Sequence, residues 1–253
     1  MSPDRRLIIN FRGTESQKDA ATDMNAKLKK AHFLPRDFRQ HMIKVHAGFL
    51  RQYDSCRQLI RDYALVKQWR HNYPEILVTG HRVRVRKRSF FALFKIFDTL
   101  ANSLGGALSV LCALDLAVNP IAENGVKIKV ITFGAPRTGN AGFCHLFNKL
   151  CAHHIRCVHR HDVVPKVPPE LLSFKHVNNS VLLAEPEQDG GTGSGMNPLS
   201  AHSMLKYIQS AITSHQKLQI KRLERNELLE DVLQMALAFM PLILFLCSTK
   251  LLQ

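Results

Sequence analysis

Pro74-Glu75-Ile76-Leu77-Val78-Thr79-Gly80, then Ser103-Leu104-Gly105-Gly106-Ala107-Leu108 with its apolar continuation to Val118, then Lys127-Ile128-Lys129-Val130-Ile131-Thr132-Phe133, are the stretches that decide how this chain folds. The first is a β-branched run ending in glycine, which predicts a central strand delivering its C-terminal end to a tight turn. The second is too long and too uniformly apolar for a strand and predicts a buried helix, and the third predicts another buried strand. Strand, helix, strand is the unit from which a parallel sheet is built.

Working outward, Arg6–Phe11 (RLIINF) predicts a strand close to the start of the chain, and Val45–Trp69 has near-helical apolar spacing that predicts an amphipathic helix. Glu15–Lys30 is polar and Ala-rich and predicts a short, mobile surface helix, interrupted by Phe33-Leu34-Pro35. After the Gly134-Ala135-Pro136 turn come a predicted helix over Ala141–Leu150, a strand over Ile155–His159 and a Pro-rich loop through Pro169. Gln188–Pro198 reads as a Gly-rich loop and Leu199–Leu218 as a helix running on into the charged segment KRLERNELLED. Alternation of this kind predicts an α/β, doubly wound, parallel sheet with helices on both faces.

The two halves of a G-x-S-x-G turn are present but separated. In such a turn a strand bends sharply into a helix, and glycines flank the serine because side chains there would collide. Gly80-His81 closes the strand and Ser103-Leu104-Gly105-Gly106 opens the helix, so removal of Arg82–Asn102 leaves VTGHSLGGAL. Those 21 residues read as an insertion in an otherwise intact motif. Their sequence, RVRVRKRSFFALFKIFDTLAN, carries six basic residues and one acid. It reads more readily as a translated intron than as a real insertion, since its excision restores the motif in frame. The other reading is an amphipathic anchor for an anionic membrane.

The rest of the composition narrows the class. With 253 residues and 45% hydrophobic content the chain can fill a large core, which excludes disorder and fibrous repeats. The formal charge of +15 suggests an anionic partner or surface, but a third of it sits in Arg82–Asn102 and aromatic residues do not interleave with the basic ones. Nucleic acid is therefore set aside as a partner. The six cysteines form no CxxC pairs, so no disulfide framework is expected.

The chain resembles the class 3 (fungal-type) lipases of the α/β-hydrolase superfamily over most of Leu7–Ile212. The residues that carry the resemblance are FRGTES (Phe11–Ser16), VHAGFL (Val45–Leu50), the split GH…SLGGAL, TFGAPRTGN (Thr132–Asn140), HRHDVVPKVPP (His159–Pro169), FKHV (Phe174–Val177) and AHSMLKY (Ala201–Tyr207). It implies ester hydrolysis of acylglycerols or related lipids through an acyl-enzyme, with no metal or cofactor. By match to the family motifs Ser103 would be the nucleophile, Asp162 the acid and His202 the base, with His176 as the competing histidine, structural in the family. The Leu104 N–H and Thr14 would form the oxyanion hole, and Gly80, His81, Gly105 and Gly106 the elbow. Glu15–Leu34 corresponds to the family's lid but lacks a Trp and has only scattered apolar residues such as Met24 and Leu28.

Three departures accompany the resemblance. The insertion lies where the turn tolerates least, which predicts a weak or inactive hydrolase and makes a catalytically impaired, membrane-associating remnant the alternative reading. The family's elements preceding Leu7 have almost no counterpart, so the domain reads as N-terminally truncated with an uncovered sheet edge. Residues 1–216 are thus expected to form the lipase-like domain and 217–253 a charged helix with an apolar tail, Met235–Cys247. That tail is short for a membrane span, with an interfacial helix as the other reading. No signal peptide is seen before Leu7, which sets the expectation of an intracellular protein, membrane-associated through this tail. A lipid ester is the expected partner, a lipid surface a further one, and the oligomeric state is open.

Overall fold

The computed structural model describes residues 6–12, 26–38, 42–71, 73–81, 104–119, 125–183 and 204–220. Five strands, β1 (Arg6–Arg12), β4 (Glu75–His81), β5 (Lys127–Phe133), β6 (His153–His159) and β7 (Ser180–Leu183), form one sheet in the order β1-β4-β5-β6-β7, every neighbouring pair parallel. Two short strands, β2 (Leu28–Lys30) and β3 (Lys44–His46), pair antiparallel in a separate sheet. Among the described residues four α-helices follow in chain order: α1 (Ala47–His71), α2 (Leu104–Ala117), α3 (Ala141–Leu150) and α4 (Met204–Ile220).

The sheet strands stand in chain order, so crossovers of one hand lay α1, α2 and α3 on the same face. Because side chains alternate across a strand, Ile76, Val78, Ile128 and Val130 face that layer and share a buried cluster with Tyr53, Ala107, Leu111, Phe143 and Phe147. Leu77, Ile131, Phe133, Ile155 and Cys157 belong to a second cluster with Tyr207, Ile208 and Ala211 of α4. Helices therefore cover both faces, but the winding runs in a single direction among the described residues, which corrects the doubly wound expectation. On β1, Ile8 is 49% exposed.

The predicted strands and helices at 6–11, 74–80, 103–118, 127–133, 141–150 and 155–159 are found to within two residues in the described part. Three expectations need correction. Leu28–Lys30 is a strand paired with Lys44–His46, and Ala31, Phe33 and Leu34 are buried in the core, so this part of the expected surface helix and lid is packed structure. The first long helix starts at Ala47 because Val45 and His46 are taken by strand pairing, and His46 Nδ1 then accepts the N–H groups of Gly48 (3.2 Å) and Phe49 (3.4 Å), capping the helix. Its amphipathicity holds only in part: Phe49, Leu50 and Tyr53 are buried, whereas Leu59 and Tyr63 are exposed. Finally, β7 lies in a stretch with no predicted element.

A buried carboxylate fastens α1 to α2. Asp115 accepts from the Tyr53 hydroxyl (2.8 Å), from Arg57 Nε (2.7 Å) and Nη2 (3.0 Å), and from Asn119 Nδ2 (2.7 Å). A charge taken out of water needs such a complete set of donors. Cys56, Cys112, Cys144, Cys151 and Cys157 are all free thiols. Among the described residues no helix is long and apolar enough to cross a membrane. The segment after Ile220, including the tail at Met235–Cys247, lies outside the described residues, as does the Gly-rich stretch 188–198.

Candidate active site

Strand β4 ends beside the first turn of α2. A Cβ on Gly80 would lie 2.6 Å from the Gly105 carbonyl carbon, and still closer to the Gly105 oxygen and Ser109 Oγ. Only glycine at position 80 permits this approach. On the other side of the helix start, a Cβ on Gly106 would lie 2.8 Å from the Cβ of Ala135, in the Gly134-Ala135-Pro136 turn where Gly134 has φ +63°. The glycines of GH…SLGG thus bring strand end, helix start and the turn after β5 together, although 21 residues intervene in the chain. Leu104 opens the helix and is buried. Ser103 and the segment 82–102 lie outside the described residues, and so does the expectation that this segment releases Ser103 from the turn.

Asp162 follows β6, two strands along from β4, and its side chain is buried. A turn from His159 places it: the Asp162 N–H donates to the His159 carbonyl (3.0 Å), and Asp162 Oδ1 accepts the Val164 N–H (2.9 Å). Oδ2 accepts the Tyr207 hydroxyl (2.7 Å), reaching across from α4. The loop beyond is braced by Arg137 of the RTGN stretch. Its Nη1 donates to the Lys166 and Pro168 carbonyls and its Nη2 to Glu170 Oε1 (3.0 Å). Asn140 of the same stretch caps α3 through the Phe143 N–H (3.0 Å) and holds the chain at Met42 and Lys44.

Of the expected site residues, the structure sets Gly80 against Gly105, places Leu104 and Gly106 in the first turn of α2, and buries Asp162 beyond the end of β6. Thr14, Ser103 and His202 lie outside the described residues, as does the side chain of His81. His176 is engaged elsewhere: its Nε2 hydrogen-bonds the Pro165 carbonyl, and burial lowers its pKa to about 4. His46 likewise has its pKa lowered to about 4 by burial, while its Nδ1 serves the helix cap. Tyr207 is the partner of Asp162 that residue-by-residue reading missed, although it stands in the quoted AHSMLKY motif, five residues after His202.

A parallel sheet whose inner strand ends in glycine against a buried helix, with a carboxylate held two strands along, is the framework of an α/β-hydrolase. The sequence profile of the lipase (class 3) family matches residues 8–83 and 102–172, more than half of the chain, and the chain belongs to that family. It is similar to the lipase of Rhizopus niveus, 30% identical over 176 residues that make up 68% of this chain and 37% of that protein. Among solved structures, the triacylglyceride lipase of Rhizomucor miehei superposes with a TM-score of 0.53 at 25% identity, covering 72% of this chain and 59% of that one. A triacylglycerol lipase whose catalytic centre is formed by a serine protease triad gives a TM-score of 0.55, also at 25% identity, covering 72% and 58%. The chain spans less than half the length of the curated relatives it matches.

Proposed function

We propose that this chain is a serine hydrolase that cleaves carboxylic ester bonds of acylglycerols or related lipids through an acyl-enzyme on Ser103. His202 takes the serine proton and returns it to the leaving alcohol, and Asp162 orients the imidazole and stabilises its charged form. The Leu104 N–H, at the start of α2, and Thr14 receive the oxyanion. The observation that carries this reading is the contact of Gly80 with Gly105, which sets the strand end and helix start of the elbow side by side whatever lies between them in the chain. Lipid ester is the substrate class because the relatives in this family act as lipases.

A second reading, a catalytically impaired remnant that associates with lipid surfaces, draws on one specific observation: the family match breaks off at 83 and resumes at 102, between the expected elbow histidine and serine. Association with a lipid surface, through Arg82–Asn102 or Met235–Cys247, belongs to this reading and would appear as co-sedimentation with anionic vesicles.

A fluorophosphonate probe, which reacts only with an activated serine, separates the two. The hydrolase reading expects labelling of the full chain at Ser103, hydrolysis of a short-chain ester, and loss of both in Ser103→Ala by several orders of magnitude. A full chain that remains unlabelled, beside a version lacking 82–102 that reacts, would establish the impaired form. Equal turnover by Ser103→Ala and the unaltered chain would remove Ser103 from the mechanism.

A further inference from the structure

Asp162 and Tyr207 are 45 residues apart in sequence and meet in the buried layer between β6 and α4. Two of the hydroxyl's partners are of opposite kind. It accepts the backbone N–H of His159 (3.1 Å) and lies 2.7 Å from Asp162 Oδ2. A backbone N–H can only donate, so the hydroxyl proton is free to point at the carboxylate. Burial, and after it the charge of Asp162, raises the phenol well above its ordinary range, which keeps that proton on the oxygen. The ring is wedged edge-on against Phe133, centroids 6.0 Å apart, which fixes where the hydroxyl can go.

We propose that Tyr207 is a positioning residue of the catalytic acid. One hydroxyl ties together the end of β6, the Asp162 carboxylate and α4, the helix that begins two residues after His202. With Oδ1 turned to the Val164 N–H and Oδ2 to Tyr207, the carboxylate is restrained on both oxygens. The acid-bearing loop is thereby anchored to the helix that follows His202 in the sequence. This rests on the serine-hydrolase reading above.

The test is a double-mutant cycle in the full chain. Tyr207→Phe should lower kcat for a short-chain ester, and the rate of fluorophosphonate labelling, by roughly 10- to 100-fold while KM changes little, as removal of a donor to a charged group does. In the Asp162→Asn background the same substitution should add little, because the charged acceptor that orients the base is gone. A second variant preserves the packing: trifluorotyrosine at position 207 has a more acidic phenol, donates more strongly to Asp162, and should move the acid limb of the kcat/KM pH profile to lower pH. A merely structural tyrosine would leave that limb in place. Undiminished kcat in Tyr207→Phe, equal losses in both backgrounds, or an unmoved acid limb would each overturn the inference while leaving the hydrolase reading intact. A parent chain that neither turns over ester nor reacts with the probe would overturn both.

Discussion

Gly80→Ala is the most direct probe of the proposed elbow, because it acts where two parts of the chain separated by the 82–102 segment are in contact. The new Cβ would lie 2.6 Å from the Gly105 carbonyl carbon, 0.8 Å short of the 3.4 Å at which ordinary contact begins, with a larger shortfall at the oxygen. Neither neighbour can swing away. The Gly105 carbonyl is helix backbone, and Ser109 Oγ is committed to it by a 2.9 Å hydrogen bond. Relief therefore requires β4 and α2 to separate by nearly 1 Å inside a close-packed layer, a cost of about 1–3 kcal/mol. On the proposed function, in which Ser103 is the nucleophile, a displacement of that size beside it is worth on the order of 100-fold in rate. Gly125→Ala is the matched control: a Cβ there meets nothing within 4 Å, and only the left-handed φ of +71° is strained. Urea unfolding and fluorophosphonate labelling of the two variants check this. Equal stability and equal labelling of Gly80→Ala and the parent would refute the elbow contact and the functional reading built on it.

Arg57→Ala leaves the Asp115 carboxylate buried without its charged partner and should destabilise the fold by about 3 kcal/mol, measured as a lowered urea midpoint at unchanged m-value; a midpoint like that of the parent would mean that Tyr53 and Asn119 suffice. His46 and His176 should make stability acid-sensitive. Burial lowers both from 6.5 to about 4, so between pH 6.5 and 4 the unfolded chain binds more protons, and stability present above pH 6.5 is lost as the pH falls to about 4, on the order of 3 kcal/mol for each group. His46→Asn keeps a capping acceptor ahead of α1 and removes one titrating group, so the slope of stability against pH in that window should shrink; an unchanged slope would show that His46 is not buried as a neutral base.

Much of this protein is settled locally and so is legible in its sequence. Runs such as ILVTG and KVITF can only be buried strands, LSVLCALDLA can only be a buried helix, and their alternation requires a parallel sheet, because each choice follows from side-chain period and backbone preference within a few residues. The glycines of the split motif announce a close approach, since no other residue tolerates one. What approaches them is another matter: that Gly80 meets Gly105 depends on β4 and α2 docking across an intervening segment, which no local pattern contains. The same holds for β2 and β7, of three and four residues. They exist because β3 and β6 offer hydrogen bonds, a tertiary circumstance that overrides weak or contrary local propensity at Leu28–Lys30 and Ser180–Leu183. Asp162 could be matched to a motif, but its partner Tyr207 could be chosen only once α4 was laid across the second face of the sheet, because a hydrogen bond joining residues 45 positions apart is decided by packing, not by sequence spacing.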